Sequence, residues 1–236
     1  VNRRRAALWG AAVLVLAAAG LYALYEVSRA RCFTLAGPVA CRVETQRPVV
    51  ALTFDDGPTA QGVDAVLPVL DAHGARATFF LIGREAQNRP DLVRRIVASG
   101  HEVGNHSWSH SRMVFRPRGF YGQELRRTEA VLDRARGPAP RLFRPPYGKK
   151  LIGLPLAVRE RGLTMVTWDV EEPTATDPQR YADEIVAQAR PGSIILMHPM
   201  YGANGTARAA LPLVLEGLKA KGLKVIPAGA LLENRG

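Results

Sequence analysis

The chain is poor in several of the features that announce common architectures. Two cysteines among 236 residues exclude a disulfide-rich scaffold and a four-cysteine zinc module. No segment repeats at a fixed period, which excludes a solenoid. Neither G-x-G-x-x-G nor a Walker-type loop follows an apolar run, which disfavours dinucleotide and P-loop nucleotide binding. Acidic residues are scarce beside basic ones, 21 against 32, for a net charge of +11. That excess favours an anionic neighbourhood such as lipid headgroups or a wall polymer. Beyond the first five positions no three basic residues adjoin and no aromatic-interleaved basic stripe occurs, so nucleic acid is not expected as a partner. Apolar residues, at 47%, are ample for a large core and exclude wholesale disorder.

Charge is also missing from one long stretch. Between Arg5 and Glu26 lie 20 uncharged residues, enough for about 30 Å of helix, one bilayer core. Arg3, Arg4 and Arg5 precede it and are expected to stay cytoplasmic, which places the rest outside. A cleaved signal peptide ending near Ala17-Ala18-Ala19 is the alternative. Apolar residues continue through Leu21, Tyr22, Leu24 and Tyr25, which favours an uncleaved anchor. Residues 1–27 therefore read as an arginine cluster plus transmembrane anchor, 28–47 as a juxtamembrane linker, and 48–236 as one catalytic-size domain. The domain is expected at the periplasm or cell surface, or secreted if the N-terminus is cleaved. Export permits a disulfide between Cys32 and Cys41, worth ~2–3 kcal/mol in the chain-entropy model; two free linker thiols are the alternative.

From residue 48 short apolar runs alternate with helical periods. Strands are predicted at Val49–Phe54, Ala77–Ile82, Glu102–Asn105, Leu142–Arg144, Thr164–Trp168, Ser193–Met197 and Lys224–Pro227. Helices are predicted at Val63–His73, Asp91–Ser99, Gly122–Arg136, Leu154–Arg161, Ala182–Arg190 and Ala207–Lys221. Gly74, Gly100, Gly162 and Gly222 each stand where a helix should stop. Seven strands alternating with helices mean parallel βα units, as an open doubly wound sheet or a closed barrel. In both, chemistry belongs at the C-terminal strand ends.

Those ends carry the polar groups. Strand one ends Asp55-Asp56-Gly57-Pro58, on its own a turn signature, yet with one carboxylate free to ligate a cation and another to accept a proton. Strand three ends His106-Ser107-Trp108-Ser109-His110; imidazoles at i and i+4 share one face of a helical turn and can share a metal. With Asp56 they make a His₂Asp set that leaves positions open for water. Strand four ends Arg144-Pro145-Pro146-Tyr147, a stiff loop with an arginine and an aromatic, and strand six ends Leu196-Met197-His198. His73 and His101 match no motif.

In this order the motifs T-F-D-D-G (Thr53–Gly57), H-S-x-x-H (His106–His110), R-x-P-Y (Arg144–Tyr147) and L-x-H (Leu196–His198) resemble the polysaccharide deacetylases of carbohydrate esterase family 4, the NodB-homology domain. The resemblance covers about residues 48–232 and implies an α/β fold, an irregular (β/α) barrel of about seven strands. It implies that Asp56, His106 and His110 bind one divalent metal, zinc foremost, with cobalt or nickel as alternatives. It makes Asp55 the base, His198 the acid and Arg144 the group that orients Asp55. Pro146, Tyr147, Trp168 and Leu196 would border the substrate. Where the family has D-x-x-D-W, this chain runs Asp169-Val170-Glu171-Glu172-Pro173, with Glu171 as the stand-in for the first Asp. The implied activity is removal of N-acetyl groups from a peptidoglycan- or chitooligosaccharide-type glycan. The alternatives are a deacetylase or deformylase of a lipid-linked sugar, and a non-catalytic glycan-binding relative.

Overall fold

Seven short strands separated by helical crossovers assemble here into one curled parallel sheet. The computed structural model describes residues 3–136 and 141–233. The strands are β1 (Val49–Asp55), β2 (Thr78–Leu81), β3 (Glu102–Asn105), β4 (Leu142–Phe143), β5 (Thr164–Met165), β6 (Ile194–Met197) and β7 (Lys224–Ile226). They pair in the order β5-β4-β3-β2-β1-β6, all parallel, with β7 on the first three residues of β1. All seven residues of β1 are buried, as expected of a strand covered on both faces.

Period two then decides which side chains face the interior. Val50, Leu52 and Phe54 join the outer cluster beneath the helices, whereas Val49 and Ala51 join the inner cluster with Phe80, Leu142, Val166, Ile194 and Leu196. Thr53 and Asp55 continue that inward register, and so does His198, two residues past Leu196. The other end of the interior is filled by Ala228 and Leu231 of a short terminal helix.

The crossover helices are α2 (Ala60–Ala72), α3 (Gly83–Asn88), α4 (Pro90–Ala98), α5 (Arg118–Arg136), α6 (Gly153–Glu160), α7 (Pro178–Gln188) and α8 (Gly205–Ala220), followed by α9 (Ala228–Glu233). The four glycines expected to stop helices all take positive φ, between 60° and 78°. Two short helices, α3 and α9, and a 3₁₀ turn at Pro146–Gly148 were not predicted, being too brief for a helical period to register.

Strands β5 and β6 do not pair along their length. Bridges from Ala40 to Val166, Arg42 to Ser193 and Val170 to Ile195 span the gap between them. The barrel is therefore irregular, as expected, but a stretch read as linker helps to close it. Ala40, Cys41 and Val43 are buried accordingly, and Cys41 is joined to Cys32. Ahead of it stands α1 (Arg3–Arg29), long and apolar enough to cross a membrane by length and composition.

Candidate active site

Asp55 and Asp56 sit side by side but face different partners. The inward register sends Asp55 onto Arg144, whose guanidinium donates to Asp55 Oδ1 at 2.8 Å. Arg144 is fully buried and spends its other N–H groups on Thr53 Oγ1 and the Thr167 carbonyl, each at 2.8 Å, and the Val166 carbonyl at 3.4 Å. A buried arginine is tolerated only when saturated in this way. Burial alone would raise the Asp55 carboxyl, but the charge of Arg144 beside it holds it below its ordinary value. Asp55 is thus an anion with a fixed orientation.

Asp56 follows at φ 75°, which swings its carboxylate to the rim. Its Oδ1 lies 3.3 Å from His110 Nε2 and 3.8 Å from His106 Nε2. The two imidazoles do not share a helical face as the i, i+4 spacing suggested. Residues 106–110 form a loop in which Ser107 and His110 take positive φ, and that reversal turns both rings to one point. Glu124 of α5 fixes the loop, accepting from the Trp108 and Ser109 backbone N–H groups at 3.0 and 2.9 Å. Asn105 adds a bond from the Ser107 N–H at 2.8 Å.

The donor set fits a divalent cation. One ligand atom from each of Asp56, His106 and His110 lies within 4.8 Å of the others. Asp56 Oδ1 is buried and has no hydrogen-bond partner among the described residues, an expensive state that a cation would relieve. His106 Nδ1 lies 2.9 Å from the Arg144 carbonyl, which fixes the N–H there and leaves the Nε2 lone pair free for a metal. Burial lowers both imidazoles, favouring the neutral, ligating form.

On the opposite wall His198 Nδ1 meets Glu172 Oε1 at 2.8 Å, and the His198 backbone N–H donates to Glu172 Oε2 at 2.9 Å. The Tyr181 hydroxyl donates to the same carboxylate at 2.7 Å. Burial would lower His198, but the Glu172 bond and the Asp55 and Glu172 charges raise it to about 9. The stand-in expected at Glu171 is corrected here: Glu171 points outward and pairs with Arg31 at 3.2 Å. Glu172, one residue on, is the carboxylate that meets His198; both glutamates lie past the last β-bridge at Val170, where no strand pattern marks the choice.

The remaining predicted residues surround these groups. Tyr147, at φ 58°, is exposed with its ring 4.7 Å from that of His110. Pro146 is buried in the same 3₁₀ turn. Trp168 is buried against Gly148, where an added Cβ would approach the indole to 3.0 Å, and Leu196 is buried in β6. His101 accepts from the Ala77 N–H at the other end of the sheet.

Comparison with known proteins agrees with this geometry. The polysaccharide deacetylase family model matches residues 42–166, just over half of the chain. A peptidoglycan-N-acetylglucosamine deacetylase of Bacillus cereus is 33% identical over 188 residues, 78% of this chain and 68% of that one. A peptidoglycan-N-acetylglucosamine deacetylase of Listeria monocytogenes is 35% identical, but this chain spans only 37% of its length. A chitooligosaccharide deacetylase of Azorhizobium caulinodans is 32% identical over 80% of this chain and 96% of that one. Among solved structures, a peptidoglycan N-acetylglucosamine deacetylase superposes with TM-score 0.77 at 32% identity, over 82% of this chain and 92% of the other. A carbohydrate esterase family 4 pseudoenzyme of Bacillus anthracis superposes with TM-score 0.75 at 26% identity, over 85% of this chain and 70% of the other. With its four motifs gathered at one barrel mouth and these relatives beside it, the chain belongs to the polysaccharide deacetylase family, the NodB-type group of carbohydrate esterase family 4.

Proposed function

We propose that the protein is a divalent-metal-dependent hydrolase that removes N-acetyl groups from a cell-wall glycan of peptidoglycan or chitooligosaccharide type. The observation that carries this reading is the orphaned Asp56 carboxylate facing two imidazoles, with an ionised Asp55 beside it and a protonated His198 across from it. A cation held by Asp56, His106 and His110, zinc foremost, would polarise the amide carbonyl and acidify water. Asp55, held by Arg144, accepts the proton of the attacking water. His198 donates its proton to the departing amine, and Glu172 stabilises the imidazolium until then. Tyr147, Pro146, Trp168 and Leu196 border the sugar. Products are acetate and a free amino sugar.

Helix α1 serves as a membrane anchor in this reading, with the catalytic domain outside; the Cys32–Cys41 bridge fits an oxidising compartment. The α1 end lies beside the rim residue Tyr147, which favours a second substrate reading, a lipid-linked N-acyl sugar.

The test is acetate release from a panel of peptidoglycan, chitin oligomers, acetylated xylan and lipid-linked N-acetylglucosamine. Asp55→Asn is expected to lower kcat about 10²- to 10⁴-fold, the usual worth of a general base. Glycan binding with one metal per chain and no acetate from any substrate would replace the hydrolase reading with that of a non-catalytic relative.

A further inference from the structure

A cleft of about 300 Å³ lies between the end of α1 and the rim of the candidate site, with which it shares Tyr147 and Trp168. Tyr25, Arg29 and Arg31 line it from one side, and Tyr147, Lys149 and Trp168 from the other. Lys149 Nζ and Arg29 Cζ lie 4.3 and 5.7 Å from the centroid of the Tyr25 ring. Glu171 pairs with Arg31 at 3.2 Å, and Glu26 reaches Arg29 at 3.7 Å. Both pairs are solvent-exposed and therefore weak, and three cations against two carboxylates leave the cleft positive. Guanidinium groups and an ammonium together suit an anionic oxygen ligand, a phosphate above all.

Depth decides where that phosphate resides. The uncharged stretch of α1 ends at Tyr25, the residue on which Lys149 packs. The helix end is fastened to the barrel at the same level. The Lys150 backbone N–H donates to the Ser28 carbonyl at 2.7 Å, and the buried Lys150 ammonium donates to the Ala30 and Gly148 carbonyls. The Thr167 hydroxyl donates to the Arg31 carbonyl at 2.6 Å. The cleft therefore stands where an apolar helix leaves the hydrocarbon and meets headgroups.

We infer that this cleft binds the phosphate of an anionic membrane-embedded lipid and so holds the substrate groove, which shares Tyr147 with it, at the headgroup layer. The inference rests on the proposed reading of α1 as a membrane anchor and is independent of the hydrolase chemistry. A bilayer phospholipid and a lipid carrier of a sugar present the same phosphate chemistry, and the experiment separates them.

The full chain is placed in nanodiscs of phosphatidylcholine, of phosphatidylcholine with phosphatidylglycerol, and of phosphatidylcholine carrying N-acetylglucosamine on polyprenyl diphosphate. Backbone hydrogen exchange over residues 147–152 is read by mass spectrometry. Exchange is expected to slow about fivefold in an anionic disc, the worth of one cation near an anionic surface. The double variant Arg29→Gln, Lys149→Gln is expected to lose that slowing with an unchanged thermal melt. Slowing with phosphatidylglycerol identifies the bilayer headgroup as the source, and slowing with the polyprenyl lipid alone identifies the carrier. Equal exchange in all three discs, or equal slowing in the double variant, overturns the phosphate cleft and leaves the anchor standing. A chain that does not enter the discs overturns both.

Discussion

On the wall that carries Asp55 and His106, the constraints come from buried groups, whereas the wall that carries His198 depends on a carboxylate that water still reaches. The Arg144, Asp55 and His106 side chains are 0%, 3% and 1% exposed, against 29% for His198 and 28% for Glu172. A buried network fixes position and tolerates little change, because any lost partner strands a charge in low dielectric. A half-exposed pair tunes a pKa, and its loss is cushioned by solvent. The first wall is therefore built for geometry and the second for proton affinity.

The comparison breaks most sharply at Arg144. Arg144→Met strips the buried Asp55 carboxyl of its partner and is expected to destabilise the fold by about 3–5 kcal/mol, read by chemical denaturation. If the variant is as stable as the parent, the buried wall is not the rigid one. Glu172→Gln is expected to act on pH dependence instead. In the proposed chemistry His198 donates a proton, so activity should persist below its raised value of about 9 and fail as pH rises through it. Without the Glu172 charge that value falls, and the alkaline limb of kcat against pH moves down while the limb on the acid side stays. An unmoved alkaline limb would remove His198 from the role of acid. Tyr181→Phe is the mildest change, costing about 1 kcal/mol for one hydrogen bond. Its alkaline limb should stay or rise slightly, because a carboxylate relieved of one donor accepts more strongly from His198.

The two walls also differ in how far a linear sequence reveals them. Asp55, Asp56, His106, His110 and Arg144 stand in short motifs at strand ends, each weak alone, and their ordered co-occurrence with the family resemblance selected them. What brings the imidazoles together was not legible. The spacing of His106 and His110 suggests a helix, yet a loop with two left-handed residues does the work, held by Glu124 from a helix that begins eight residues later. Glu171 and Glu172 are adjacent and chemically alike, and only the folded path of the irregular segment past Val170 decides which one meets His198. Parallel βα units were legible from alternation and the barrel from the family resemblance, while its closure by residues 40–43 was not, because β-bridges across more than a hundred residues leave no local mark.

Both walls face the point where ligand atoms of Asp56, His106 and His110 converge, and whether one cation binds there is the most direct test. The full chain is stripped with chelator, titrated with Zn²⁺, and followed for bound metal and for acetate released from N-acetylated wall glycan. The account predicts activity lost on stripping and restored in proportion to one ion per chain, with Asp56→Ala neither binding the ion nor recovering. Full acetate release from the stripped chain, or restoration of Asp56→Ala at the same stoichiometry, would contradict it.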